Sequence, residues 1–238
     1  MGTLDGVLTT GTASSRLRRK LELILPAFEQ PGHLLIEHPR ARELYPPYLA
    51  AGACVALAMI PLMEAALARA RELAPDDRVA AGLAAYLERH IPEEMHDDEP
   101  GGGAFEDLRA VGFDTDELLA SPLPEKIAAL IGTQYFWIMH THPVAILGFL
   151  WLESYPPNAP DVERLIEKTG LPRAGFRQLL LHAELDVRHG DELQQVVDSL
   201  PLEPEHEQLI ALSALKTISF LIDAWLDVVV DGTPVASS

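Results

Sequence analysis

The stretch His182-Ala-Glu-Leu-Asp-Val-Arg-His189 decides how the rest of the chain is read. Spacings of four and three place His182, Asp186 and His189 on one face of an α-helix, along about two turns. Leu179, Leu180, Leu181 and Leu185 precede or interleave them, and Leu193, Val196 and Val197 follow. A helix this apolar buries most of its girth, and charged groups near a core are rarely left unpaired. Two imidazoles and a carboxylate on one such stripe form a ligand set for a divalent metal. A polar face making surface hydrogen bonds is the plainer alternative.

The helical period extends outward from this stretch in both directions. Residues 173–198 form the helix that carries it. Residues 205–229 form a last long helix, with Leu209, Leu212, Leu215, Phe220, Leu221 and Trp225. Upstream, 161–168 is a short helix closed by Gly170-Leu171-Pro172. Residues 125–153 are one long buried helix, or two that meet at His142-Pro143, ending at Glu153. Residues 104–121 give a short helix and a loop. Residues 76–97 begin at Pro75-Asp76-Asp77 and continue to His96. Residues 48–73 are apolar nearly all round, which places them inside a bundle, with a bend at Pro61. Residues 16–30 form the first helix, kinked or shortened by Pro26 and stopped by Pro31-Gly32. Between them 33–47 reads as an irregular link or short helix, with Pro39, Pro46 and Pro47 as breakers.

No strand alternation of useful length occurs, and there are no repeats or linkers. The expected architecture is therefore all-α, one helical domain over 16–230 between a flexible segment 1–15 and a polar tail 231–238. The run Gly101-Gly102-Gly103 lacks the lysine and strand context of a phosphate loop and reads as a hinge or surface loop.

Composition narrows the function. The 238 residues are 48% hydrophobic and carry a net charge of −18, from 36 acidic and 18 basic side chains. That charge argues against binding nucleic acid or an anionic membrane surface. Cys54 is the only cysteine, so no intrachain disulfide or CxxC pair exists. A reducing, cytoplasmic setting fits best. Cys54 lies in an apolar run without a basic neighbour, where a structural thiol is expected rather than a nucleophile. No basic segment followed by an apolar core opens the chain, and no apolar run of about 18 residues is free of charge or proline, so neither a signal peptide nor a membrane span is expected.

Other helix-borne groups join the three. Glu93 and His96 are three apart and share a face, whereas Glu94 and His96 do not. Glu153 is a further candidate. A Glu-x-x-His on one bundle helix, facing carboxylates and imidazoles on others, is how dimetal carboxylate sites are built. Oxygen and imidazole ligation suits iron or manganese. His90 and His142 are candidates to orient a ligand through a hydrogen bond. Arg177 and Arg188 point away from the ligand face by helical period and are poor clamps for a substrate carboxylate. No flavin or nicotinamide fingerprint is present.

Three pieces in this order carry a resemblance: His90-Ile-Pro-Glu93-Glu94-Met-His96, His142-Pro-Val-Ala-Ile-Leu-Gly148-Phe-Leu-Trp-Leu-Glu153, and His182-x-x-x-Asp186-x-x-His189. Over roughly 45–230 the chain resembles the haem-oxygenase-like dimetal oxidases and oxygenases, the iron-containing redox enzymes. The resemblance implies a bundle of about seven helices and a homodimer. It also implies two Fe(II) ions, with a manganese–iron pair as variant, held by Glu93, His96, Glu153, His182, Asp186 and His189. The implied reaction activates dioxygen as co-substrate. It acts on a small amino acid, amine or fatty-acid-like molecule by N-oxygenation or oxidative C–C cleavage and rearrangement. Electrons beyond those of two ferrous ions come from the substrate or an external donor. In this chain an acidic cluster and three glycines follow His96, where the family continues its helix, and Glu88 stays outside the site. Two other readings compete: a metal-free hydrolase on the same scaffold, and a non-enzymatic helical protein that binds haem or a partner.

Overall fold

The computed structural model describes residues 10–95 and 103–232, excepting the side chains of 185–189. The expected ligand His96, the glycines Gly101 and Gly102, most of the segment 1–15 and most of the tail 231–238 lie outside the described residues. So do the side chains of Asp186, Arg188 and His189.

Thr12 caps the first helix by accepting from the Ser15 N–H, and Ser14 anchors it, its N–H and hydroxyl each donating to Asp198 at 2.8 Å. This helix, α1 (Ala13–Leu21), ends before the expected 16–30 element does. The chain turns at Glu22–Ile24, and Pro26 sits in the first turn of α2 (Leu25–Glu37), where a missing N–H costs nothing. Pro31-Gly32 was expected to stop a helix and instead lies inside α2. Likewise α3 (Ala41–Leu73) begins seven residues before the expected start and runs through Pro46, Pro47 and Pro61. Tertiary packing overrides the prolines here. Tyr45 is fully buried, donates to the Gly175 carbonyl at 2.6 Å and stacks on Phe176 at 4.2 Å.

Asp77 then caps α4 (Arg78–Glu94), accepting from the N–H groups of Val79 and Ala80. Two short helices follow, α5 (Gly103–Ala110) and α6 (Thr115–Ala120). The expected 125–153 helix is divided. Helix α7 (Glu125–His140) stops because Pro143 forces His142 into an extended conformation, φ −158° and ψ 138°. A 3₁₀ turn at Pro143–Ala145, the five-residue α8 (Ile146–Leu150) and a second 3₁₀ turn at Trp151–Ser154 complete the segment. Glu153 therefore stands on a tight turn rather than at the end of a long helix. Helix α9 (Ala159–Thr169) ends at Gly170, which takes φ 60°. A 3₁₀ turn at Arg173–Phe176 leads into α10 (Arg177–Ser199), and α11 (Pro204–Val229) closes the chain.

The described residues thus hold eleven α-helices and three 3₁₀ turns, more than the seven or so expected, with no strand. The excess comes from breaks that proline and extended backbone impose on long apolar runs. Helices α3 and α11 are by length and composition apolar enough to cross a membrane, although α3 carries prolines and α11 carries Lys216 and Asp223, and 56% and 50% of their apolar windows are buried. They form the centre of the bundle. Helix α7 docks on α11 through a satisfied polar contact: buried Gln134 donates to Thr217 and accepts from Ser213, each at 3.0 Å. Gly148 of α8 meets α11 backbone to backbone. A Cβ there would lie 2.3 Å from the Ile210 carbonyl oxygen and 2.7 Å from the Ala214 nitrogen.

Candidate metal centre

Helix α4 turns one face inward with a four-residue period, burying Tyr86, His90 and Glu94. The Trp151–Ser154 turn brings Glu153 to the same place. One donor atom from each of His90, Glu94 and Glu153 lies within 4.8 Å of the others. His90 Nε2 is 3.5 Å from Glu153 Oε1 and 3.8 Å from Glu94 Oε1. Tyr86 stacks on the His90 ring at 4.9 Å and closes one side. Burial alone disfavours the His90 cation, but Glu153, then Glu94 and Glu93, outweigh it and hold its pKa above the usual histidine value. The same crowding of carboxylates, added to burial, keeps the Tyr86 phenol protonated far above its ordinary range.

Both Glu153 oxygens are buried without a hydrogen bond among the described residues. Burying a carboxylate costs folding energy; the facing His90 ring offsets part of that cost, and a metal cation would offset more. One imidazole and two carboxylates make an oxygen-rich donor set suited to iron or manganese.

Helix α10 reaches this group at Gly190. A Cβ there would lie 2.9 Å from Ser154 Cα and 3.1 Å from the Glu153 carbonyl oxygen. The glycine lets the histidine-bearing helix press on the Glu153 turn one residue beyond His189. The start of α10 is set by Asp107, a buried carboxylate that accepts from the Gln178 N–H at 2.7 Å and pairs with Arg177 at 3.4 Å. Burial nonetheless keeps the Asp107 pKa above the usual carboxylate value. His182 is half-buried, and its Nε2 accepts from the Gln178 amide at 2.7 Å. Arg177, engaged with Glu106 and Asp107, is no substrate clamp.

Of the six expected ligands, Glu153 sits in the converging group. Glu93 lies on the flank of α4, its side chain 52% exposed and 3.7 Å from His90 Nδ1. Sequence reasoning passed over Glu94 because it was compared with His96. Its spacing of four from His90 was the signal that places the two side by side.

A second group of metal-compatible side chains, Asp77, His142 and His206, stands at the other end of α4. Thirteen residues separate Asp77 from His90, about 20 Å at 1.5 Å per residue. His142 is thus remote from the ligands it was expected to orient, and the two groups are not halves of one bridged centre. All three side chains of the second group serve helix starts. His142 Nδ1 accepts from the Val144 N–H and its Nε2 faces Asp77 at 3.0 Å. His206 Nδ1 accepts from the Glu203 N–H at 3.1 Å. With Nδ1 accepting, the His142 proton resides on Nε2, which blocks that nitrogen as a ligand.

Burial, followed by the nearness of His206, outweighs Asp77 and holds the His142 pKa below the usual 6.5. Burial also opposes the Asp77 charge, but the Ala80 N–H, the His142 ring and the Val79 N–H prevail and lower its pKa. The unfolded chain therefore protonates residue 142 first as the pH falls below about 6.5, and stability is lost there. The thermal midpoint is expected to drop from about pH 7 to about pH 5.5, and His142→Asn, which keeps an acceptor for Val144, is expected to flatten that slope. An unchanged slope would remove His142 from the account.

The comparisons with known proteins bear on this geometry. Residues 62–221 match the model of a family described as iron-containing redox enzyme. The chain belongs to that family. Like other iron-containing redox enzymes of this type it has the haem-oxygenase-like fold. It is similar to a domain of unknown function with a heme oxygenase-like fold from Shewanella denitrificans, at 16% identity and a TM-score of 0.73, covering 90% of this chain and 92% of that one. It is also similar to a TenA homolog from Pseudomonas syringae pv. tomato, at 12% identity and a TM-score of 0.66, covering 94% and 95%. No curated protein matches the chain. Cys54 is buried, and burial pushes its thiol up to about 11, which leaves this family member without a reactive thiolate.

Proposed function

We propose that this iron-containing redox enzyme is a dioxygen-activating diiron oxidase or oxygenase. Its metals would be held between α4, the Glu153 turn and α10. The observation that carries the reading is Glu153, whose buried oxygens lack hydrogen bonds among the described residues and face His90 and Glu94, on a turn packed against the histidine-bearing helix. The proposed ligands are His90, Glu94 and Glu153 together with His182, Asp186 and His189. His96 follows α4 closely in sequence and belongs to the same proposal, and Glu93 is its outer neighbour.

When bound, two ferrous ions supply electrons for the reduction of dioxygen. The protein's own part is positional and electrostatic. Three carboxylates offset the metal charge, and Tyr86 shields the His90 ring from water. The buried surround of α4 and the Trp151–Ser154 turn keeps solvent from the reacting groups. Gln178, donating to Nε2, orients the His182 ring and leaves its proton on Nδ1. The apolar helices favour a substrate with an aromatic or aliphatic body, in the class of amino acids, amines and fatty acids. N-oxygenation and oxidative C–C cleavage are the reactions proposed, with an external donor or the substrate completing the electron count.

The test is dioxygen uptake by protein loaded with ferrous iron under anaerobic conditions, repeated with one compound of each class. Uptake accelerated by one class identifies the substrate class, and iron-loaded protein that consumes none refutes the oxidase reading. A second variant probes the architecture. Gly190→Ala is expected to keep the helical signal and to weaken iron binding by about tenfold or more, as displaced supporting shells do. Unchanged affinity would detach α10 from the site.

A further inference from the structure

The four-residue period that buries Tyr86, His90 and Glu94 on α4 runs back through Gly82 to Arg78, and Arg89 lies beside it. Arg78, Gly82, Tyr86 and Arg89 form one wall of a cleft of about 270 Å³. The facing wall is the end of α10, with Val196, Ser199 and Leu200. The walls meet at Gly82, where a Cβ would lie 2.4 Å from the end of the Leu200 side chain. Tyr86 belongs to the cleft and to the candidate metal centre alike, since its ring stacks on His90. The cleft therefore adjoins that centre along α4. Gly82 stands eight residues before His90, about 12 Å along the helix.

The charges of the cleft select its ligand. On a chain of net charge −18, no carboxylate lines it among the described residues. Arg78 has no ion pair or hydrogen bond among the described residues, whereas Arg69, Arg71 and Arg173 each hold a carboxylate at 2.6–2.7 Å. Arg89 donates to the Ala85 carbonyl at 3.1 Å and stands 4.0 Å from Glu192. Those two contacts leave the guanidinium further N–H donors. Two such forks match a carboxylate, which accepts in the same plane, and they repel an ammonium. Tyr86, Val196 and Leu200 give an aliphatic body an apolar surface to lie on. Of amino acids, amines and fatty acids, the cleft therefore suits an acid without a free amine.

We propose that this cleft binds the carboxylate of an aliphatic-acid substrate between Arg78 and Arg89, with the body of the acid directed along Tyr86 to the metal centre. The role as substrate rests on the oxidase reading; the binding does not, and it is measured without iron. Calorimetric titration of the iron-free full chain with hexanoate, octanoate and decanoate is expected to show a site that octylamine and octanol fill about tenfold more weakly or worse. Arg78→Gln combined with Arg89→Gln is expected to lower the affinity for the acids about tenfold or more, with the helical signal and the affinity for octanol unchanged. Arg40→Gln, outside the cleft and paired with Glu43, is expected to change nothing. Ser199→Trp, which fills the cleft from its exposed rim, is expected to block the acids. Octanol that binds as tightly as octanoate, acid affinity that survives the double substitution, or no binding across the series overturns the proposal. A chain that binds the acids and consumes no dioxygen refutes the oxidase reading alone, whereas dioxygen uptake driven only by an amine refutes the role of the cleft as substrate site.

Discussion

Ferrous iron added anaerobically is expected to raise the unfolding free energy of the wild-type chain by about 2.7 kcal/mol at a hundredfold excess over Kd, and Glu153→Ala is expected to abolish that rise. For a chain of this size the wild-type gain corresponds to about 5–10 °C in Tm. The variant should fold, because the Glu153 side chain makes no hydrogen bond among the described residues, and the turn meets Gly190 through backbone atoms that alanine retains. His206→Ala serves as the control. If the metal instead bound among Asp77, His142 and His206, the control would lose the rise and Glu153→Ala would keep it. That pattern would move the metal centre to the far end of α4.

Gly148→Ala is expected to destabilise the fold by about 3 kcal/mol, at the upper end of what overpacking costs. The added carbon would collide with the Ile210 carbonyl oxygen at 2.3 Å and the Ala214 nitrogen at 2.7 Å. Both are α11 backbone atoms, which cannot swing aside as a side chain can. Urea denaturation measures the loss, expected as a lower midpoint at unchanged slope. Gly82→Ala is the informative comparison, since its clash at 2.4 Å is with the end of the Leu200 side chain, which can rotate away. Equal losses at the two positions would show that α8 can move off α11 without penalty.

The physical difference between these two glycines also separates what was legible in the sequence from what was not. Periodicity and local caps are properties of a short window. They place α9, α10 and α11 within a few residues and make the chain all-helical. They also mark Glu153 and the helix of His182 as places where metal-binding groups accumulate. Proline rules, equally local, misjudged α2 and α3, because Pro31 and Pro46 lose hydrogen bonds that the burial of neighbours such as Leu35 and Tyr45 outweighs.

Which face of a helix looks inward is not a local property. Glu93 and Glu94 differ by one residue and about 100° of rotation. Packing of the bundle buries Glu94 beside His90 and Glu153 and leaves Glu93 at the flank. The fate of His142 was likewise decided by distant partners, since Pro143 could be seen to break a helix but not to deliver the imidazole to Asp77. Local sequence makes the fold all-helical, places α9 to α11 and supplies the residue types available for a metal. Which of these groups meet is a matter of packing, because a side chain's neighbours depend on crossing angles and close approaches, such as Gly190 on Glu153, that are set by elements far apart in the chain.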